Sequence, residues 1–162
     1  MTPNELGADL LQRNADMLKS TLADFSDADM FVRPVPKANH AAWQLGHVIA
    51  SERGMLAACG AKMPELPAGW AERFSKETSA IDDPSRFASK ADLLAMFDKV
   101  RAGTIAFAKS ATPADLAKPG PESMRSFMPT VGHVLEMVPG HVLMHMGQCQ
   151  VIRRKLGKPL LF

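Results

Sequence analysis

The residues best suited to chemistry are His141 and His145, in the stretch Gly140-His-Val-Leu-Met-His-Met-Gly-Gln148. Apolar residues recur at helical spacing from Val131 to Leu156, so the pair is predicted to lie on a helix. Residues i and i+4 share one helix face, with Cβ atoms about 6 Å apart, so both imidazoles can reach one metal ion. Two ligands do not complete a site. The best third ligand is His47, in Asn39-His-Ala-Ala-Trp43-Gln-Leu-Gly46-His47, near the start of another predicted helix. Spacing alone leaves two readings of His47: a ligand, or one residue on an ordinary bundle-facing turn. The His141/His145 pair is also a modest signal, since a helical histidine is more often a surface or core residue than a ligand. Three protein ligands with an open position is the pattern of a catalytic ion, whereas structural zinc is usually closed by four. Imidazole suits Zn, Ni, Fe and Cu alike.

The other polar residues are harder to place on one ion. His40 precedes His47 by one heptad, about 10 Å along the axis, and belongs at the helix start or a pocket rim. His133 is about 12 Å below His141 and reads as structural. Cys149 continues the four-residue spacing, but it lies about 12 Å above His141 and is rotated by about 80°, so it reads as a core residue. Cys59 reads as inert. The chain has no HExxH motif, and Glu52 and Glu136 point away from the ligand faces. Ser51 and Gln148 are better placed, as groups contacting a ligand or substrate, though neither is a strong base. Gly46 and Gly147 adjoin ligands in the chain and make either room for a substrate or a close helix crossing.

These side chains need helices to hold them. Thr2-Pro3-Asn4-Glu5 is a helix start, and Leu6 to Phe25 keep helical spacing, which predicts a first helix from Pro3 to about Asp24. Ser26 to Asp29 opens a single turn stopped by Pro34 and Pro36. Asn39 is the expected cap of a second helix from His40 to Cys59, with Gly60 past its end. Residues 60–88 form a long connection whose Trp70, Phe74 and Phe87 should pack down on the domain. Leu93, Phe97, Val100, Thr104 and Phe107 mark a third helix, to about Lys109. Thr112-Pro113-Ala114-Asp115 is another short capped turn. Thr130 starts a fourth helix to about Leu156, which Pro139 should kink or split. The basic residues Arg153, Arg154, Lys155 and Lys158 complement its dipole. The expected fold is all-α: one domain over residues 1–162, an antiparallel four-helix bundle with a long connection between the second and third helices, which could be a crossover rather than a tight turn.

Composition bounds the partners. The chain has 162 residues and a net charge of +2, too mild a balance to argue for nucleic acid. No apolar run approaches the roughly 20 residues of a membrane span, and no secretory pattern opens the chain. Two cysteines without a CxxC pattern fit a reducing cytoplasm.

Asn39-(x3)-Trp43-(x2)-Gly46-His47, together with His141-(x3)-His145-(x)-Gly147-Gln148 and Arg153-Arg154-Lys155-Leu156-Gly157-Lys158-Pro159, resembles the DinB/YfiT-like superfamily of small four-helix metalloproteins. The resemblance runs over nearly the whole chain in helix order and length. It implies a metal triad of His47, His141 and His145, with Zn or Ni as the ion and Fe or Mn as alternatives. It also implies a small-molecule substrate, a low-molecular-weight thiol in several members, and a homodimer. A thiol bound to a metal is deprotonated there, which would account for the missing base. The expected function is a metal-dependent thiol S-transferase-like or hydrolase-like enzyme. The alternative is a non-catalytic metal-binding helical dimer with a binding or stress-response role.

Overall fold

The computed structural model describes residues 1–161. Four long helices carry the fold: α1 (Pro3–Leu22), α2 (Ala41–Ala58), α4 (Lys90–Ser110) and α6 (Val131–Lys155). Two one-turn helices, α3 (Trp70–Arg73) and α5 (Pro113–Leu116), sit in the connections. Each long helix starts where a side chain can take a free backbone N–H. Thr2 and Glu5 form a reciprocal capping box, Ser89 accepts from the Asp92 N–H, and Thr130 accepts from the His133 N–H. At α2 the cap is His40, not Asn39. The His40 Nδ1 accepts from the Trp43 N–H at 3.1 Å, while the Asn39 carbonyl takes the Gln44 side-chain amide at 2.8 Å. At the end of α6, Gly157 has φ +68°, and the Lys158 N–H returns to the Arg153 carbonyl at 2.9 Å.

The order of the helices around the bundle is α1, α4, α2, α6, so α1 and α2 lie diagonally opposite. Side-chain bonds fix the directions. Asn14 meets Pro139 and Thr21 meets Arg153, so α1 and α6 are parallel. Gln44 meets His145 and His47 packs on His141, so α2 and α6 are antiparallel. Asn4 meets Ala108 and Lys19 meets Asp98, so α1 and α4 are antiparallel. It follows that α2 and α4 are parallel neighbours. Two neighbouring pairs are thus parallel, as the crossover form of the long connection requires, and not antiparallel as short turns alone would make them. The reason is residues 59–89, which return the length of the bundle as a crossover instead of turning back at once.

The crossover is pinned by the aromatic residues that were expected to pack down. Trp70, Phe74 and Phe87 are all buried. The Trp70 indole N–H donates to the Gly46 carbonyl at 3.1 Å, and the Phe74 ring occupies the space where a side chain on Gly46 would stand. Gly46 therefore admits a loop aromatic, not a neighbouring helix. Gly54, Gly140 and Gly147 face open space. Pro139 does not split α6, which runs through it as one helix with the proline buried.

The basic end of α6 also differs from a solvated cationic turn. Arg153 is fully buried, bonded to the Thr21 and Pro159 carbonyls and paired with Asp24. It locks the end of α1 to the end of α6, leaving Arg154 and Lys155 exposed.

Candidate metal centre

His47 on α2 and His141 and His145 on α6 converge in the groove between the two helices. One ring nitrogen from each lies within 4.8 Å of the others. His145 is buried, while His47 and His141 are half-buried. The Nε2 atoms of His141 and His145 are 3.1 Å apart. Two nitrogens bound to one ion at about 2.1 Å stand about 3.0–3.4 Å apart at angles between square and tetrahedral, so this pair has the spacing of co-ligands.

Hydrogen bonds set the ring orientation. The Gln44 side-chain N–H donates to the Asn39 carbonyl, which turns its oxygen toward His145. His145 Nδ1–H donates to that oxygen at 3.1 Å, leaving the Nε2 lone pair facing the groove. Gln44 is buried and was missed at the sequence level. Its signal was a polar residue inside the otherwise apolar run Ala41 to Gly46, three positions before His47. His47 is held from its other side by the Trp43 ring, stacked at 4.8 Å between centroids with 7° between planes. Trp43 is itself fixed to the crossover, its indole N–H donating to the Ser75 carbonyl at 3.0 Å and the Thr78 hydroxyl at 3.1 Å. The crossover thus forms one wall beside His47.

Electrostatics keep the imidazoles neutral. Burial, then the neighbouring His141 and His47, push the His145 pKa down to about 4. Burial, then His47, lowers that of His141. His47 is lowered by burial and further by the charge of Lys76, against the opposing Phe74 carbonyl. Neutral imidazole is the form that binds a metal, so the donor set fits a divalent ion.

The remaining polar residues are distributed unevenly. Ser51 Oγ is 3.5 Å from His47 Nε2 and lies at the groove. Gln148 is exposed on α6, and among the described residues no hydrogen bond joins it to the three histidines. His40 is sealed between Phe31 and Phe87, with Nε2–H donating to the Ile81 carbonyl at 3.1 Å. His133 caps the other end of α6 with Thr130. Cys149 is buried, which raises its thiol pKa to about 12, and burial also raises that of Cys59.

Comparison with known proteins supports this fold. A structure from Enterococcus faecalis, described as a conserved protein, aligns over 98% of this chain and 99% of its own, with a TM-score of 0.73 and 19% identity. YfiT from Bacillus subtilis aligns over 96% of this chain and 89% of its own, with a TM-score of 0.67 and 16% identity. YfiT is described as a probable metal-dependent hydrolase with an unusual four-helix bundle topology. No curated protein matches the chain. The sequence profile of the DinB superfamily matches residues 10–149, and the chain belongs to that superfamily.

Proposed function

We propose that the chain is a divalent-metal-dependent enzyme in which His47, His141 and His145 hold the ion and a small-molecule substrate enters the groove between α2 and α6. The observation that carries this reading is the convergence of three imidazoles within 4.8 Å, one of them oriented by a buried glutamine. Zn or Ni is the preferred ion, with Fe or Mn as alternatives. When bound, such an ion supplies Lewis acidity and lowers the pKa of a coordinated water or thiol. The chain's own residues hold the ligands in place. Gln44 fixes the His145 tautomer, Trp43 fixes the His47 ring plane, and Ser51 offers a hydroxyl beside the groove. Gln148 stands exposed on α6, where a substrate rather than a ligand could meet it.

Neither of the carboxylates nearest in sequence offers a base to the groove. Glu52 is fully occupied by Arg101 and Thr104, and Glu136 is exposed one and a half turns before His141. A reactant that loses its proton on metal binding therefore suits this groove best, and a low-molecular-weight thiol meets that condition. Hydrolysis, the activity ascribed to YfiT, is the other outcome to test. The proposal includes a cytoplasmic setting, supported by two free thiols, and a homodimer, supported by exposed Met144 and Val151 on α6. Among the described residues no helix is long and apolar enough to cross a membrane.

The test is elemental analysis of untagged protein beside a His47→Ala/His141→Ala/His145→Ala variant. About one equivalent of metal in the parent and none in a folded variant is the expected result. Thiol-transfer and hydrolysis assays with that metal would follow. A parent that takes up no Zn, Ni, Mn or Fe would overturn the reading. Stoichiometric metal without either activity would favour a non-catalytic metal-binding protein.

A further inference from the structure

Beneath the metal centre, a chain of buried polar contacts crosses all four long helices. Glu52 on α2 is 1% exposed and Arg101 on α4 is 2% exposed. Arg101 Nη2 donates to one Glu52 oxygen at 2.8 Å, and the Thr104 hydroxyl donates to the other at 2.6 Å. Arg101 Nη1 donates to the Leu11 carbonyl at 2.9 Å and to Asn14 Oδ1 at 3.1 Å. The buried Asn14 then donates from Nδ2 to the Pro139 carbonyl of α6 at 3.2 Å. The two ends of this path lie close to the ligands in sequence. Glu52 follows His47 by five residues, and Pro139 precedes His141 by two.

Stability alone is a weak reason for this arrangement. A buried ion pair can often be replaced by apolar residues without loss, because desolvation offsets the attraction. Arg101 also keeps one N–H, on Nε, without an acceptor among the described residues. What the network supplies is direction. Both Glu52 oxygens and both polar ends of Asn14 are used, so the bonds are satisfied in one helix register only. A slide of α2 by a single residue is about 1.5 Å, enough to break them. The contact at Pro139 ties α1 to α6 one turn beyond the Leu135 carbonyl, which loses its ladder bond because proline provides no N–H. Its carbonyl has a second lone pair free for Asn14.

We propose that Asn14, Glu52 and Arg101 are positioning residues for the metal centre, holding α2 and α6 in the register that brings His47 to His141 and His145. The proposal rests on the metal-site reading above, and its test separates the two. Two variants are needed: Asn14→Ala, which cuts the link to Pro139, and Glu52→Met/Arg101→Met, which replaces the charges by apolar groups of similar length. Zinc affinity is measured by chelator competition, on protein shown to be folded by circular dichroism and urea unfolding. The ring-nitrogen NMR signals of His47, His141 and His145 are recorded on metal-free protein. The expected result is about a tenfold loss of zinc affinity in each folded variant, the lower end of the effect of groups that support metal ligands. The histidine ring signals should shift as well. Asn14→Ala leaves the ion pair in place and decides the matter if the double variant does not fold. Parent affinity together with unmoved ring signals would overturn the proposal. If the parent binds no zinc, the metal reading fails by itself, and the ring signals alone decide whether the network positions the histidines.

Discussion

Replacing Gly46 by alanine should destabilise the protein although it removes a glycine from a helix. At an open helical position, Gly→Ala stabilises by about 1 kcal/mol, because alanine loses less backbone freedom on folding. At Gly46 the new Cβ would overlap the Phe74 ring. That ring is 1% exposed, and the Trp70 indole bond to the Gly46 carbonyl holds the same segment against α2. The crossover therefore cannot move away without losing buried aromatic surface. Expelling the ring costs about 3–5 kcal/mol, by analogy with Phe→Ala truncation. After the helix gain, the net loss is about 2–4 kcal/mol. Gly54, on the same helix but facing open space, is the internal control, and Gly54→Ala should gain up to about 1 kcal/mol. The assay is urea unfolding followed by circular dichroism and by the fluorescence of Trp43 and Trp70. Gly46→Ala combined with Phe74→Leu should lose less than the sum of the single changes, because the smaller side chain relieves the overlap. A Gly46→Ala protein as stable as Gly54→Ala would refute the packing of the crossover on α2, and with it the wall beside His47.

Two further outcomes follow from the polar contacts. Gln44→Leu removes the acceptor for His145 Nδ1–H and should weaken zinc binding about 10- to 100-fold, while Gln44→Glu keeps an acceptor and should retain most of it; calorimetric titration distinguishes them. His40 should make the protein sensitive to mild acid. Burial pushes its pKa down to about 4 from an ordinary 6.5, so between these values the unfolded chain binds a proton that the native state refuses. Its contribution to stability is intact above about pH 6.5 and is lost as pH falls toward 4, by about 2 kcal/mol at pH 5. His40→Asn, which retains a capping side chain, should flatten the loss measured by urea unfolding at pH 5 and pH 7.5.

The elements and the candidate ligands were legible to different degrees, for physical reasons. Helix starts and stops are local: Thr2 with Glu5, Thr130 and Gly157 act within one turn of their own position, so residue type and spacing sufficed. The pairing of His141 with His145 on one face follows from helix periodicity alone. His47 was different. Its place beside that pair depends on which helix α2 faces and in which direction it runs, so spacing offered it only as a candidate and the resemblance to a known superfamily singled it out as a ligand.

The tertiary structure decided what periodicity cannot express. Gln148 and Gln44 both stand three residues from a triad histidine, yet only Gln44 is turned into the bundle to meet His145. His40, not Asn39, caps α2, because the 60–88 crossover brings Ile81 and Phe87 to enclose its ring. Arg153 had the sequence appearance of a solvated cation, but the diagonal placement of α1 and α2 leaves the end of α1 free to pack against it. Chain spacing determined the helices and one histidine pair. The rotation and direction of each helix, set by long-range burial and by one crossover, determined which polar residues reach that pair and which stay in water.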